Sequence, residues 1–278
     1  MRTARSIGPG GAGPWLTAAL LVTLAGCTSQ PPGPVAWEPD RRVPGAMAPG
    51  ARMVLLESGI PAILPVLTPV RWPDDSLACA GSFVAAGLGM GTVFAVWRTT
   101  MDSGATQLRA AHSSDGGIAW DAPQPVGAVE RTGSGCRRPP AAISVDSATG
   151  TVHVVYHGRA VAGTGVVAVR ARRPAWLFGA PELIAKGTLP ATASVAANAD
   201  TVAVVFESPA SPPGEIWLAL SAAGRQIPGA RVMLSTPGVR AFAPAVAVSG
   251  GRVGAAWNEA RHGGQGPTAV ARVGRLGR

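Results

Sequence analysis

Apolar residues in this chain fall into short runs that end on an aromatic, and the runs recur. Four segments share the pattern: "GTVFAVW" ending at Trp97, "GTVHVVY" at Tyr156, "DTVAVVF" at Phe206 and "GRVGAAW" at Trp257. Each opens on a turn residue, and Val93, Val152, Val202 and Val253 hold equivalent places. An apolar run of this length bounded by turn signals predicts a strand. A shorter run precedes each one: "SFVAAG", "AAISVD", "ASVAAN" and "AVAVSG". Turn residues between the two predict a hairpin. A third run follows each aromatic: "QLRAAHS", "VVAVRAR", "IWLALSA" and "TAVARVG". Three units carry a fourth: "PQPVGAV", "PELIAKG" and "ARVMLST". Helical periodicity is weak throughout, because Gly and Pro interrupt every candidate stretch.

Units of about fifty residues with four antiparallel strands predict the blades of an all-β propeller. Four units predict four blades, and residues 51–59 are available for a partial fifth. The last unit stops at Arg278 without its fourth strand. "IPAILPVL", residues 60–67, precedes the first unit without partners, so it is expected to supply that strand and close the ring. Closure removes exposed strand edges.

The start of the chain belongs to something else. Arg2 and Arg5 precede the apolar run "WLTAALLVTL", and "LAGC" follows, ending at Cys27. Basic residues, a short apolar segment and small residues describe a secretory signal. The run is shorter than the roughly 20 residues that span a bilayer. "LAGC" resembles a bacterial lipobox, which implies cleavage before Cys27 and a diacylglycerol on its thiol; an ordinary signal peptide with an incidental cysteine is the other reading. The expected division is a signal at 1–26, a Pro/Gly-rich tether at 27–50 and a propeller at 51–278. The protein is then exported and held at the bacterial envelope through lipid, acting as a monomer.

Export also bears on the two remaining cysteines. In an oxidising compartment Cys79 and Cys136 are expected to pair, tying the first blade to the second, although two free thiols remain open at the level of sequence. The net charge of +9 falls by two, to +7, without Arg2 and Arg5. Lys186 is the sole lysine, and the arginines are scattered without a long basic run. That pattern argues against nucleic acid as a partner.

One stretch carries a sharper signal. In "AHSSDGGIAW", Ser113, Asp115, Gly117 and Trp120 form S-x-D-x-G-x-x-W between the third and fourth strands of the first unit. This resembles the Asp-box, or BNR repeat, of sialidases and related propellers, which implies a structural hairpin. Asp and Ser suit it by accepting turn amides, and Gly by taking positive φ. Ser113 and Asp115 are therefore expected to be turn staples rather than nucleophile and acid. The other units keep only fragments of the motif.

The resemblance also implies a ligand face, formed by loops after the second and fourth strands. It would gather Arg98, Arg138, Arg159, Glu207, Asn258, Glu259 and Arg261, with Asp74, Asp75, Asp102 and His157 nearby. Sialidases place three arginines on a substrate carboxylate, and Arg98, Arg138 and Arg261 are candidates, since a guanidinium binds a carboxylate bidentately. The tyrosine nucleophile has no match. Tyr156 is the one tyrosine, and it holds the repeat's buried aromatic position. Glu207 and Glu259 stand at equivalent places, as a two-carboxylate glycosidase would need. No serine-hydrolase motif and no metal spacing is present, so no catalytic residue, metal or cofactor is expected. The favoured expectation is a non-catalytic module that binds a glycan, peptide or envelope protein. The alternative is an exo-sialidase or other glycoside hydrolase with a diverged site.

Overall fold

A computed structural model describes residues 35–43, 46–47, 52–55, 61–64, 68–89, 91–131, 135–210, 214–227, 231–260 and 266–277. Cys27 and Arg261 lie outside these residues.

Near the start come β1 (Val35–Trp37), β2 (Arg41–Val43), β3 (Arg52–Leu55) and β4 (Pro61–Leu64). The first sheet is β5 (Val84–Gly89), β6 (Thr92–Thr100), β7 (Thr106–Ser113) and β8 (Gln124–Glu130), in that order. The second holds β9 (Ala142–Val145), β10 (Val152–Ala160) and β11 (Gly163–Arg172), with β12 (Leu177–Phe178) and β13 (Glu182–Lys186) both pairing β11. The third is β14 (Ala193–Ala197), β15 (Thr201–Glu207), β16 (Ile216–Ala222) and β17 (Arg231–Met233). The fourth contains β18 (Arg240–Ser249), β19 (Arg252–Ala260) and β20 (Thr268–Leu276). All pairings are antiparallel.

The sheets stack face to face in a propeller-like series, which explains the continuous apolar runs. Successive residues of a strand feed opposite cores. Val154 and Tyr156 pack with Phe94, Val96 and Leu108 of the first sheet. Val155 packs instead with Val202, Val204 and Phe206 of the third. Ala203 and Val205 meet Val253, Ala255 and Trp257 of the fourth. The four repeat aromatics are all buried, and Trp97 and Trp257 have no exposed surface. Burying such a side chain stabilises the fold by roughly 1.5–3 kcal/mol.

The strand that completes the fourth sheet is not the expected one. Residues 61–64 pair with 52–55 as the β3–β4 hairpin. That hairpin packs on β18 and β19 through Met53, beside Ala245, Ala247 and Ala256. The outer position beside β20 is filled by β1 and β2, drawn from the stretch that composition marks as a tether. Trp37 and Arg272 explain the capture. The Arg272 guanidinium sits 5.8 Å from both the Trp37 and Trp257 rings, and Asp40 binds it through Nε and Nη2. Gly274 leaves the room, since a Cβ there would lie 2.9 Å from the Trp37 ring.

Cys79 and Cys136 form a disulfide, with Cα atoms 5.2 Å apart. Cys136 lies in a short 3₁₀ turn, Gly135–Arg137, between the first and second sheets.

Candidate functional site

The antiparallel register gives every sheet two ends. At the lower end Val93 faces Ser113, and the β7–β8 connection turns. At the upper end β6, β10, β15 and β19 finish, and the ligand candidates among the described residues lie there.

The lower turn uses its polar atoms internally. Ser113 Oγ donates to Asp115 Oδ1 at 2.7 Å and accepts the Gly117 amide at 2.8 Å. Asp115 accepts the Ile118 and Ala119 amides at 3.0 and 2.9 Å. The Ala119 amide and the Ser113 hydroxyl hold its carboxyl below the usual range. Gly117 takes φ +91°, a region disfavoured for residues with a Cβ. The Trp120 indole donates to the Arg71 carbonyl at 2.9 Å, so the hairpin also clamps the segment before the first sheet.

At the upper end the predicted residues divide into groups. Arg98, Glu130 and Arg138 form a buried ionic cluster between the first and second sheets. Arg98 Nη1 and Arg138 Nε each stand 3.1 Å from Glu130 Oε2. Arg98 Nη2 is buried and has no hydrogen-bond partner among the described residues. Arg138 Nη1 also donates to the His157 carbonyl and lies 3.3 Å from His157 Nδ1. His157 Nε2 lies 3.3 Å from the Gly187 carbonyl, which assigns the ring proton to Nε2. Burial holds His157 below its ordinary pKa. Tyr156 stands beside this cluster, and burial raises its phenol further from ionisation.

Glu207 and Glu259 serve neighbouring elements. Glu207 accepts the Thr192 hydroxyl and, at 2.9 Å, the Ala243 amide. Ala243 has φ +53° within the bulge of β18, so Glu207 fixes a strained position of the next sheet. Glu259 accepts the Trp257 indole at 3.1 Å and the Thr236 amide at 3.0 Å. Asn258 is buried and bonds both backbone groups of Met47. Arg159 points into solvent at the end of β10.

A cleft of about 410 Å³ opens on the flank of the first sheet turned away from the second. Asp74, Asp75, Thr99, Asp102 and Arg109 line it. Burial pushes the Asp75 carboxyl up, but the Trp97 indole, the Leu77 amide and the Thr99 hydroxyl outweigh it and leave a lowered pKa. The Trp97 bond is 2.6 Å. Arg109 lies opposite Trp97 on β7, and its buried Nε lacks a hydrogen-bond partner among the described residues. Arg109 is not among the residues expected on the ligand face, because it sits inside a strand rather than in a loop. Its signal was a charge in "QLRAAHS", at a position aligned with an apolar residue in the other third strands. Among the described residues, no three of His, Cys, Asp or Glu gather closely enough to hold a metal ion.

No family model and no curated protein matches the chain. Several solved structures resemble it at low identity. The Hadza microbial sialidase Hz136 is 12% identical over 67% of this chain and 45% of its own, with a TM-score of 0.45. A Dyadobacter fermentans protein of unknown function is 17% identical over 66% of this chain and 50% of its own, at 0.48. The Trypanosoma rangeli sialidase in complex with the inhibitor DANA is 12% identical over 78% of this chain and 35% of its own, at 0.45. The chain thus spans half or less of each of these three proteins.

Proposed function

We propose that this chain is a non-catalytic, propeller-like recognition module, exported and lipid-anchored at the envelope, whose ligand enters the cleft beside Arg109. The observation that carries the reading is the contrast on this part of the molecule. Glu130, Glu207 and Glu259 accept from groups of the fold itself. Arg109, beside an open cleft, has a buried N–H with no acceptor among the described residues. A buried donor left unpaired costs about 1–3 kcal/mol, and a ligand oxygen that drew the Arg109 guanidinium toward the cleft would recover it. Asp74 and Asp102 at the cleft would accept hydroxyl or amino groups of the same ligand. A glycan or a peptide offers both kinds of group.

The hydrolase alternative needs a carboxyl free to give and take a proton. Glu207 and Glu259, the paired acids that suggested it, are both engaged as acceptors. The test is to screen the full-length protein on arrays of glycans and peptides and, in parallel, with fluorogenic sialosides and other glycosides. Retention of a ligand class that Arg109→Ala loses is expected. Turnover of a glycoside by the wild-type protein, abolished in Glu207→Gln or Glu259→Gln, would overturn the reading.

A further inference from the structure

The N-terminal strand fixes where the anchor must leave the fold. Val35 pairs with Leu276, the last residue of β20, and Trp37 with Gly274. At the other end of β20, Thr268 pairs with Glu259 at the upper end. β1 therefore begins at the lower end, on the side of the Ser113–Trp120 turn.

Distance then discriminates between orientations. Cys27 and Val35 are eight residues apart. At about 3.3–3.6 Å per residue that is a reach of at most about 28 Å. The sheet is comparably tall: β20 alone has nine residues, or about 30 Å at roughly 3.3 Å each, before the turns are added. A chain leaving the lower end has too little reach to place the upper end against the membrane that holds its lipid. The lower end also carries the matching charge. Arg172, Arg173, Arg225 and Arg275 are exposed there and Arg252 is half-buried, on the second, third and fourth sheets. Leu177, 70% exposed, stands beside Arg172 and Arg173. Of the acids at this end, Asp115 is bound in its own turn, Asp121 pairs with His112 at 2.9 Å, Glu38 beside β1 pairs with Arg41 at 3.2 Å, Asp146 is buried, and Asp200 is exposed. Asp115 and Asp121 belong to the first sheet, away from β1.

We infer that the lower end rests on an anionic lipid surface through Arg172, Arg173, Arg225, Arg252 and Arg275, holding the Arg109 cleft clear of the membrane. This rests on the reading of Cys27 as lipidated. Basic residues near an anionic bilayer contribute about 1 kcal/mol each. Five of them would orient a body that a single lipid merely tethers.

The test uses the full-length processed protein in vesicles of phosphatidylglycerol and phosphatidylcholine. Leu177→Cys and Val161→Cys introduce labels at opposite ends of the same sheet, both at exposed sites. The expected result is several-fold more efficient energy transfer to a headgroup acceptor from position 177 than from 161. Combining Arg172→Glu, Arg225→Glu and Arg275→Glu is expected to erase that difference while the protein stays on the vesicles. Equal or reversed transfer from a protein whose Cys27 is acylated by mass would overturn the orientation alone. An unmodified Cys27 would overturn the lipid reading and this inference with it.

Discussion

Asn258 holds Met47 as a neighbouring strand would, although the two are 211 residues apart. Its Oδ1 accepts the Met47 amide at 2.8 Å, and its Nδ2 donates to the Met47 carbonyl at 3.0 Å. One buried side chain thereby fixes the segment between β2 and β3 onto the fourth sheet. Asn258→Ala leaves two backbone groups unpaired, at a cost of about 2–4 kcal/mol. A lower urea midpoint is expected, together with faster amide exchange in β1 and β2 but not in β10 or β11.

The Arg98–Glu130–Arg138 cluster is nearly solvent-free, with side-chain exposures of 3%, 6% and 12%. Glu130→Gln removes the charge shared by two arginines and is expected to cost about 3–5 kcal/mol in chemical denaturation. The double variant Arg98→Met, Glu130→Gln is expected to recover part of that loss. A double variant as unstable as the sum of its parts would show that the two side chains act independently.

His153 makes stability depend on pH. Burial is the main cause of its low pKa, aided by Arg170 and Arg172 and opposed by Asp146, and the value falls to about 4. The unfolded chain binds this proton near 6.5, so between pH 6.5 and 4 unfolding takes up a proton and stability falls with pH. The expected loss from pH 7 to pH 5 is about 2 kcal/mol. His157 is lowered in the same sense and adds to it. Denaturation midpoints at the two pH values should converge in His153→Gln; an unchanged slope would remove this residue as the cause.

Asp115→Ala is expected to lower the melting temperature and speed exchange of the Ile118 and Ala119 amides. The third and fourth sheets should keep their protection, because among the described residues Asp115 bonds within its own turn. A change confined to ligand binding, with exchange unaltered, would contradict a structural role for the turn.

Four repeat units were legible because each depends on local properties: apolar runs, turn residues and a closing aromatic. The run "AVAVSG" covers only the second half of β18. "RAFAPA" looks like a break at Pro244, but the bulge between Phe242 and Ala245, with the Ala243 amide held by Glu207, carries the strand through it. The strand beside β20 differs from the expected one for a related reason. "IPAILPVL" is more apolar than "VAWEPDRRV", yet Trp37, Asp40 and the gap left by Gly274 provide specific contacts that hydrophobicity does not register.

By itself the sequence determined the strand content, the four-unit repeat, the burial of Trp97, Tyr156, Phe206 and Trp257, and a turn suited to Ser113, Asp115 and Gly117. Those are consequences of side-chain volume, polarity and backbone freedom within a few residues. The tertiary structure decided which charges are engaged. Glu207, Glu259 and Asn258 read as a ligand face, but each has a partner at least 15 residues away in the chain. It also left the buried Arg109 Nε without an acceptor among the described residues, beside a cleft formed where the segment before the first sheet folds back over Trp97. Hydrogen-bond satisfaction depends on distances between chain segments, and no local pattern encodes those distances.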